Sequence, residues 1–270
     1  MEIKARGLTF DVYEGGPSDG DPVLLLHGFP QDHREFDLVA PLLHAAGLRT
    51  YALDQRGYSP GARPAAVADY RLSEPVADAV AVLDALAIES AHVIGHDWGA
   101  AVSWLLAAHH PERVRTLIAV SVPHPRALGL ALRARPSQRA RFAYMSVFRS
   151  PVAERLLLAG NGAVLRAMMK PIGARAGQYA DAMREPGRLT GGLNWYRALS
   201  GDQSRGAGVV TVPTTFVWAD KDVVGLTAAL RTADWVEADY QLVAMKGISH
   251  WVPEQAPTAL AQAALQRIGA

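Results

Sequence analysis

Over IKARGLTFDVYEGG, near the start of the chain, apolar and polar residues alternate with a period of two, which predicts a pair of antiparallel strands. The pattern then changes. PVLLLHGF is a short unbroken apolar run, as expected of a strand buried on both faces. Helical spacing runs from Phe36 to Ala46 and stops at Gly47, a residue suited to ending a helix. LRTYALD predicts a second buried strand, leading into the turn-rich QRGYSPGARP. Leu72 to Leu86 predicts a helix, AHVIG a strand, Trp98 to His109 a helix stopped near Pro111, and RVRTLIAVSV another strand. Buried strands alternating with helices imply the α/β class, with a mostly parallel sheet covered on both faces.

That rhythm breaks at Pro123. From there to about Ala207 the pattern is helical and rich in arginine, as in RALGLALRA, PVAERLLLAG and GAVLRAMMK, with no strand signal. VPTTFVWAD resumes the alternation, followed by a helix near Leu226 to Thr232, the strand YQLVAM and a helix from Pro257 to Ile268. Because both flanks continue one sheet pattern, residues 123–207 read as a helical lobe, or lid, inserted into a single α/β core formed by residues 1–122 and 208–270.

Composition narrows the partners. Half of the 270 residues are hydrophobic, enough for a large core. The net charge of +1 gives no electrostatic basis for binding nucleic acid or an anionic membrane. No apolar run reaches membrane-spanning length, and the amino-terminal stretch lacks a signal-peptide core, so a cytoplasmic protein is expected. The absence of cysteine removes thiolate chemistry, disulfides and cysteine-ligated metals. No metal and no cofactor are expected; a homodimer is the one protein partner considered.

Ligands of open α/β sheets sit beyond the carboxyl ends of the strands. Four polar features fall there: the His27–Gly28–Phe29–Pro30 turn, Asp97, Asp222 and His250. In HVIGHDWGA, Asp97 lies between Gly95 and Gly99 at a strand–turn–helix junction, the frame that elsewhere carries a nucleophilic serine. The chain order, nucleophile then acid then histidine, fits the same frame. Asp220 is the alternative acid, less deep in its loop than Asp222.

A carboxylate with an ordinary pKa near 3.9 is already ionised at neutral pH and needs no base. It suits attack on a saturated carbon bearing a leaving group, giving an ester on Asp97. His250, oriented by Asp222, would then activate water to hydrolyse that ester. Backbone N–H groups of Phe29 and Trp98 are the natural oxyanion donors. An epoxide oxygen needs a proton as it leaves, and Tyr144 and Tyr196, from opposite ends of the lid, can each offer a phenol.

These segments resemble the α/β-hydrolase-fold epoxide hydrolases, and in particular the hydrolase domain of the soluble epoxide hydrolases. The likeness runs through HGFPQDHREF, YALDQRGYSPGARP, VIGHDWGAAVSW, HPERVRTLIAVSVP, YMSVFRSPVAE, GGLNWYRAL, WADKDVV and GISHWVPEQAP. It implies Asp97 as nucleophile, Asp222 as charge-relay acid, His250 as base, Tyr144 and Tyr196 as ring-opening acids, and a cis Phe29–Pro30 bond in the oxyanion loop. It implies an epoxide and water as substrates, and a role in detoxification; the aromatic residues expected to wall the pocket point to an apolar epoxide. The chain departs from the pattern at Arg149, where a neutral residue is common, and at Ala219, where glycine is common. Phe29, Trp98, Phe148 and Trp195 are the expected pocket walls, and Arg149 with the stretch Arg133 to Arg141 the expected solvated face of the lid. Competing readings are a haloalkane or haloacid dehalogenase on this fold and a non-catalytic small-ligand receptor.

Overall fold

In a computed structural model of the chain, residues 1–199 and 206–269 are described. Eight strands form one sheet: β1 (Glu2–Ala5), β2 (Leu8–Gly15), β3 (Asp21–Leu26), β4 (Leu48–Leu53), β5 (Ala91–His96), β6 (Val114–Val120), β7 (Thr214–Ala219) and β8 (Tyr240–Met245). Their order across the sheet is β1-β2-β4-β3-β5-β6-β7-β8. β1 and β2 run antiparallel, as their alternation predicts, and β2 pairs antiparallel with β4. Every other pairing is parallel, with Leu26 beside Gly95 and His96 beside Val120 at the carboxyl ends.

The unbroken apolar runs have a physical reason. On β3, Leu24 and Leu26 face one core while Val23 and Leu25 face another, so no position of this stretch can be polar. The first core is shared with α2 (Ser73–Ala85) and α3 (Trp98–His109); the second takes in Leu43 of α1 (Ala40–Ala45) and the carboxyl-terminal helix Pro257–Ile268.

Two predicted helices come out divided. Phe36 to Ala46 becomes a 3-10 turn over His33–Phe36 followed by the short α1. Pro41 is the reason: its ring and missing N–H are tolerated only in the first turn of a helix, so the helix starts there and cannot begin a turn earlier. Leu226 to Thr232 likewise forms a helix over Leu226–Leu230 that tightens into a 3-10 turn, Arg231–Trp235.

Between β6 and β7 the described residues are helical, without a strand. They comprise α4 (Pro125–Ala134), α5 (Pro136–Arg141), α6 (Tyr144–Arg149), α7 (Ala153–Met168), α8 (Arg175–Ala182) and α9 (Arg188–Ala198). Positions 200–205 of this predicted lobe lie outside the described residues. α7 is interrupted at Gly160–Asn161–Gly162, where three successive residues have positive φ. α9 settles against the loop after β4 at a bare backbone contact. A Cβ built on Gly191 would lie 2.6 Å from the Gly57 Cα, and one on Gly57 would lie 2.8 Å from the Gly191 carbonyl carbon. Among the described residues no helix is long and apolar enough to cross a membrane.

Candidate active site

The site is built at the carboxyl ends of β3, β5, β7 and β8. Asp97 follows β5 directly and has φ 51° and ψ −116°, a strained conformation for a non-glycine residue. Close packing imposes it. A Cβ on Gly99 would lie 1.9 Å from the Leu26 carbonyl oxygen, and one on Gly28 would lie 2.3 Å from the Asp97 Cβ. Strand β3, the turn after it and the start of α3 therefore approach so closely that only glycine fits, and the aspartate is pushed up out of the sheet.

Its carboxylate is held on two sides. The Phe29 N–H donates to Oδ1 at 2.9 Å, next to the cis Phe29–Pro30 bond that the resemblance implies. His250 Nε2 lies 3.4 Å from Oδ2. On the far side of the ring, Nδ1 lies 3.1 Å from each oxygen of Asp222, whose side chain is fully buried. Asp220 is engaged elsewhere, accepting from the Gly247 N–H at 2.7 Å, so the histidine is partnered by Asp222 and not by the alternative acid. Trp98, the other expected oxyanion donor, opens α3 immediately after the nucleophile.

Electrostatics follow from this sandwich. Burial alone would lower the His250 pKa, but the carboxylates of Asp222 and Asp97 outweigh it and hold the pKa well above the ordinary value. Burial works to raise the Asp97 pKa, but contact with His250 and the Phe29 N–H lowers it overall. At neutral pH the resting site is an ionised aspartate facing an imidazolium.

An apolar cavity of about 290 Å³ opens over Asp97. Tyr144, the first residue of α6, and Tyr196, on α9, both line it together with Asp97 and Trp98. Burial, reinforced by the charge of Asp97, raises both phenol pKa values above the ordinary range, so both groups keep their protons. The remaining walls differ from expectation. Of the four predicted wall residues only Trp98 lines the cavity. Phe29, Phe148 and Trp195 pack behind it: the Phe148 and Tyr196 rings sit 5.0 Å apart, Phe29 and Phe148 5.3 Å apart, and the Trp195 indole donates to the Arg56 carbonyl. The Phe29 and Phe148 rings pack on that of Tyr196, and the Trp195 ring packs on that of Trp98. The walls come instead from Leu128 and Leu132 of α4, with Phe142, Met145 and Leu199. Arg149, expected on the solvated face, is exposed but also borders this cavity. Arg133, Arg135, Arg139 and Arg141 are exposed as expected.

A second layer escaped the sequence reading. The His250 carbonyl accepts from His96 Nε2 and from the Ser121 hydroxyl, both at 2.9 Å. His96 Nδ1 in turn lies 3.2 Å from Glu35 Oε2, which also accepts from the Gly28 N–H. Burial pushes the Glu35 carboxyl up to about 7, against the pull of His96. The available signal was a polar residue, His96, closing an otherwise apolar buried strand beside the nucleophile. The one group among the described residues with metal-ligand spacing is Asp32, His33 and Asp54. It makes a poor ligand set, because Arg34 and Arg188 occupy the Asp32 carboxylate and, against the opposing effect of burial, lower its pKa to about 2.

Comparison with known proteins places the fold in a family. The family model described as alpha/beta hydrolase fold matches residues 21–257. The chain is 31% identical to the AB hydrolase superfamily protein YfhM of Bacillus subtilis, over 98% of this chain and 96% of that protein. It is also 31% identical to Epoxide hydrolase A of Mycobacterium tuberculosis, over 98% of this chain and 95% of that protein. Among solved structures, Epoxide hydrolase A from Mycobacterium thermoresistibile superposes with a TM-score of 0.84 at 27% identity, covering 100% of this chain and 97% of that one.

Proposed function

The chain belongs to the α/β-hydrolase fold family, in the company of its epoxide hydrolases, and from that premise we propose that it converts an apolar epoxide and water to a vicinal diol through an ester on Asp97. The observation that carries this reading is the convergence of a carboxylate nucleophile and two protonated phenols, Tyr144 and Tyr196, on one apolar cavity. The expected division of the chain is part of it: residues 123–207 act as a cap that brings the phenols over a core formed by residues 1–122 and 208–270.

In the first step Asp97 Oδ2, the oxygen not held by Phe29, attacks an epoxide carbon. The carbon–oxygen bond breaks, its electron pair stays on oxygen, and a tyrosine supplies the proton. Esterification removes the charge of Asp97. His250 then loses one of the two carboxylates that kept it protonated, so its pKa falls; its proton passes to the phenolate left by the first step, which restores the tyrosine and frees the imidazole as a base. In the second step His250 takes a proton from water, and the hydroxide attacks Cγ of Asp97. Negative charge gathers on Oδ1 at the Phe29 N–H, where a donor typically contributes about 3 kcal/mol, with the Trp98 N–H as the expected second donor. Collapse expels Oδ2 with the substrate carbon; that oxygen takes up the remaining proton of the attacking hydroxyl and leaves in the diol, while Asp97 returns to a carboxylate that retains the oxygen of water and His250 stays protonated, as at rest.

That exchange gives the test. A single turnover of styrene oxide in oxygen-18 water should label the Asp97 carboxylate, and mass analysis of its peptide would detect it. Diol carrying all of the label, with Asp97 unlabelled, would mean direct attack by water and overturn the covalent route.

A further inference from the structure

One polar group in the cavity wall has no part in this scheme. The Trp98 indole nitrogen is buried and makes no hydrogen bond of good geometry, its polar neighbour being the Tyr196 hydroxyl. Leaving such a donor unsatisfied costs about 1–3 kcal/mol. That cost falls on the residue next to the nucleophile, in a side chain that lines the same cavity as Asp97, Tyr144 and Tyr196. The neighbouring Trp195 differs: its ring lies 5.6 Å from that of Trp98, but its N–H is satisfied by the Arg56 carbonyl at 2.9 Å. The Trp98 ring meets the Tyr196 ring edge-on, with centroids 5.0 Å apart and planes at 83°.

We propose that the Trp98 indole N–H supports the phenolic oxygen of Tyr196 while that tyrosine gives its proton to the opening epoxide. The inference rests on the epoxide hydrolase reading. In the step concerned, the Tyr196 O–H bond breaks, its electron pair remains on the phenol oxygen, and the proton joins the oxygen leaving carbon. A phenolate results at a position from which water is excluded. Burial first, and the charge of Asp97 second, make it costly there. Esterification removes the second cost as the proton moves; the first remains. A neutral N–H donor offsets it without adding a positive charge that would bind Asp97 and blunt its attack. The indole already draws Tyr196 in the acidic direction, against these larger effects. Tyr144 is raised by burial, Asp97 and Asp222, with no such donor acting on it. Of the two phenols, Tyr196 is the one whose ring meets the Trp98 indole, so it is the one that Trp98 positions and supports as its proton leaves.

The test replaces Trp98 with its sulfur isostere, 3-benzothienylalanine, which keeps the ring and removes only the N–H; Trp98→Phe is the second variant. Single-turnover measurements with styrene oxide separate ester formation from ester hydrolysis. The ratio of the first rate to the second should fall about tenfold or more in the isostere, and the alkaline limb of ester formation should move to higher pH. In a Tyr196→Phe background the same replacement should add nothing. Ester formation within about twofold of native, or equal slowing in the Tyr196→Phe background, would overturn the proposal. Failure of the native protein to form any ester would instead overturn the function on which it rests.

Discussion

Replacing Asp222 by Asn should divide the reaction in two. Asp222 faces His250 Nδ1 with both oxygens at 3.1 Å. An amide oxygen can still accept from Nδ1–H, so the ring stays near its place; what disappears is the negative charge. At an effective dielectric of about 20, two unit charges this far apart attract by roughly 5 kcal/mol, an upper bound on the loss. A charged hydrogen bond is worth about 1.5–3 kcal/mol. We take about 4 kcal/mol as the loss in the transition state for ester hydrolysis, where His250 becomes charged, or roughly a thousandfold in rate. Ester formation depends on Asp97 and the tyrosines and should suffer far less. The variant should therefore accumulate the ester. Intact-protein mass spectrometry during turnover of styrene oxide would show the protein shifted by one substrate mass, mapped to Asp97 by peptide analysis. An Asp222→Asn enzyme that turns over within about tenfold of native, with no adduct, would refute the assignment of Asp222 and the ordering of steps.

Tyr144→Phe combined with Tyr196→Phe should abolish ester formation with an epoxide while thermal unfolding remains cooperative; near-native turnover would remove both phenols from the mechanism. Gly28→Ala should lower kcat by about a hundredfold, because its Cβ would lie 2.7 Å from Asp97 Oδ1 and displace the nucleophile; circular dichroism and steady-state kinetics on the same sample check this. Stability should also follow His250. Its pKa is raised on folding, so its contribution is complete below the unfolded value of about 6.5 and is lost as pH rises through the folded value. The melting temperature of the native protein should lose ground to that of His250→Gln as pH is raised from neutral into the alkaline range. A gap that widens with pH would contradict the charge assignment.

Sheet and elbow were legible because local pattern decides them. A strand between two cores must be apolar at every position, as Val23–Leu26 is, and an aspartate between Gly95 and Gly99 after such a strand admits few geometries. The break in the first predicted helix was legible too, in Pro41, but apolar periodicity outweighed it in the reading. Cavity walls are a different matter. Leu128 and Leu132 repeat at helical spacing, which says that α4 has an apolar face but not what the face meets. Phe29, Phe148 and Trp195 stood out as large aromatics near the motifs, and size does not reveal whether a ring touches ligand or another ring. Glu35 and His96 lie 61 positions apart and meet only because β3 and β5 are neighbours.

The contact between Gly57 and Gly191 bears on how this protein could be re-engineered. A new cap is the obvious way to change the substrate, since α4, α6 and α9 supply most of the cavity. Where α9 lands, however, main chain rests on main chain, with no side chain to be trimmed or repacked if the fit is poor. A grafted cap would need glycine at its own position equivalent to 191, and the recipient core would need Gly57. Without that matched pair, the graft would lift α9 and carry Tyr196 away from Asp97, so recombination breakpoints are best chosen to inherit both glycines from one parent.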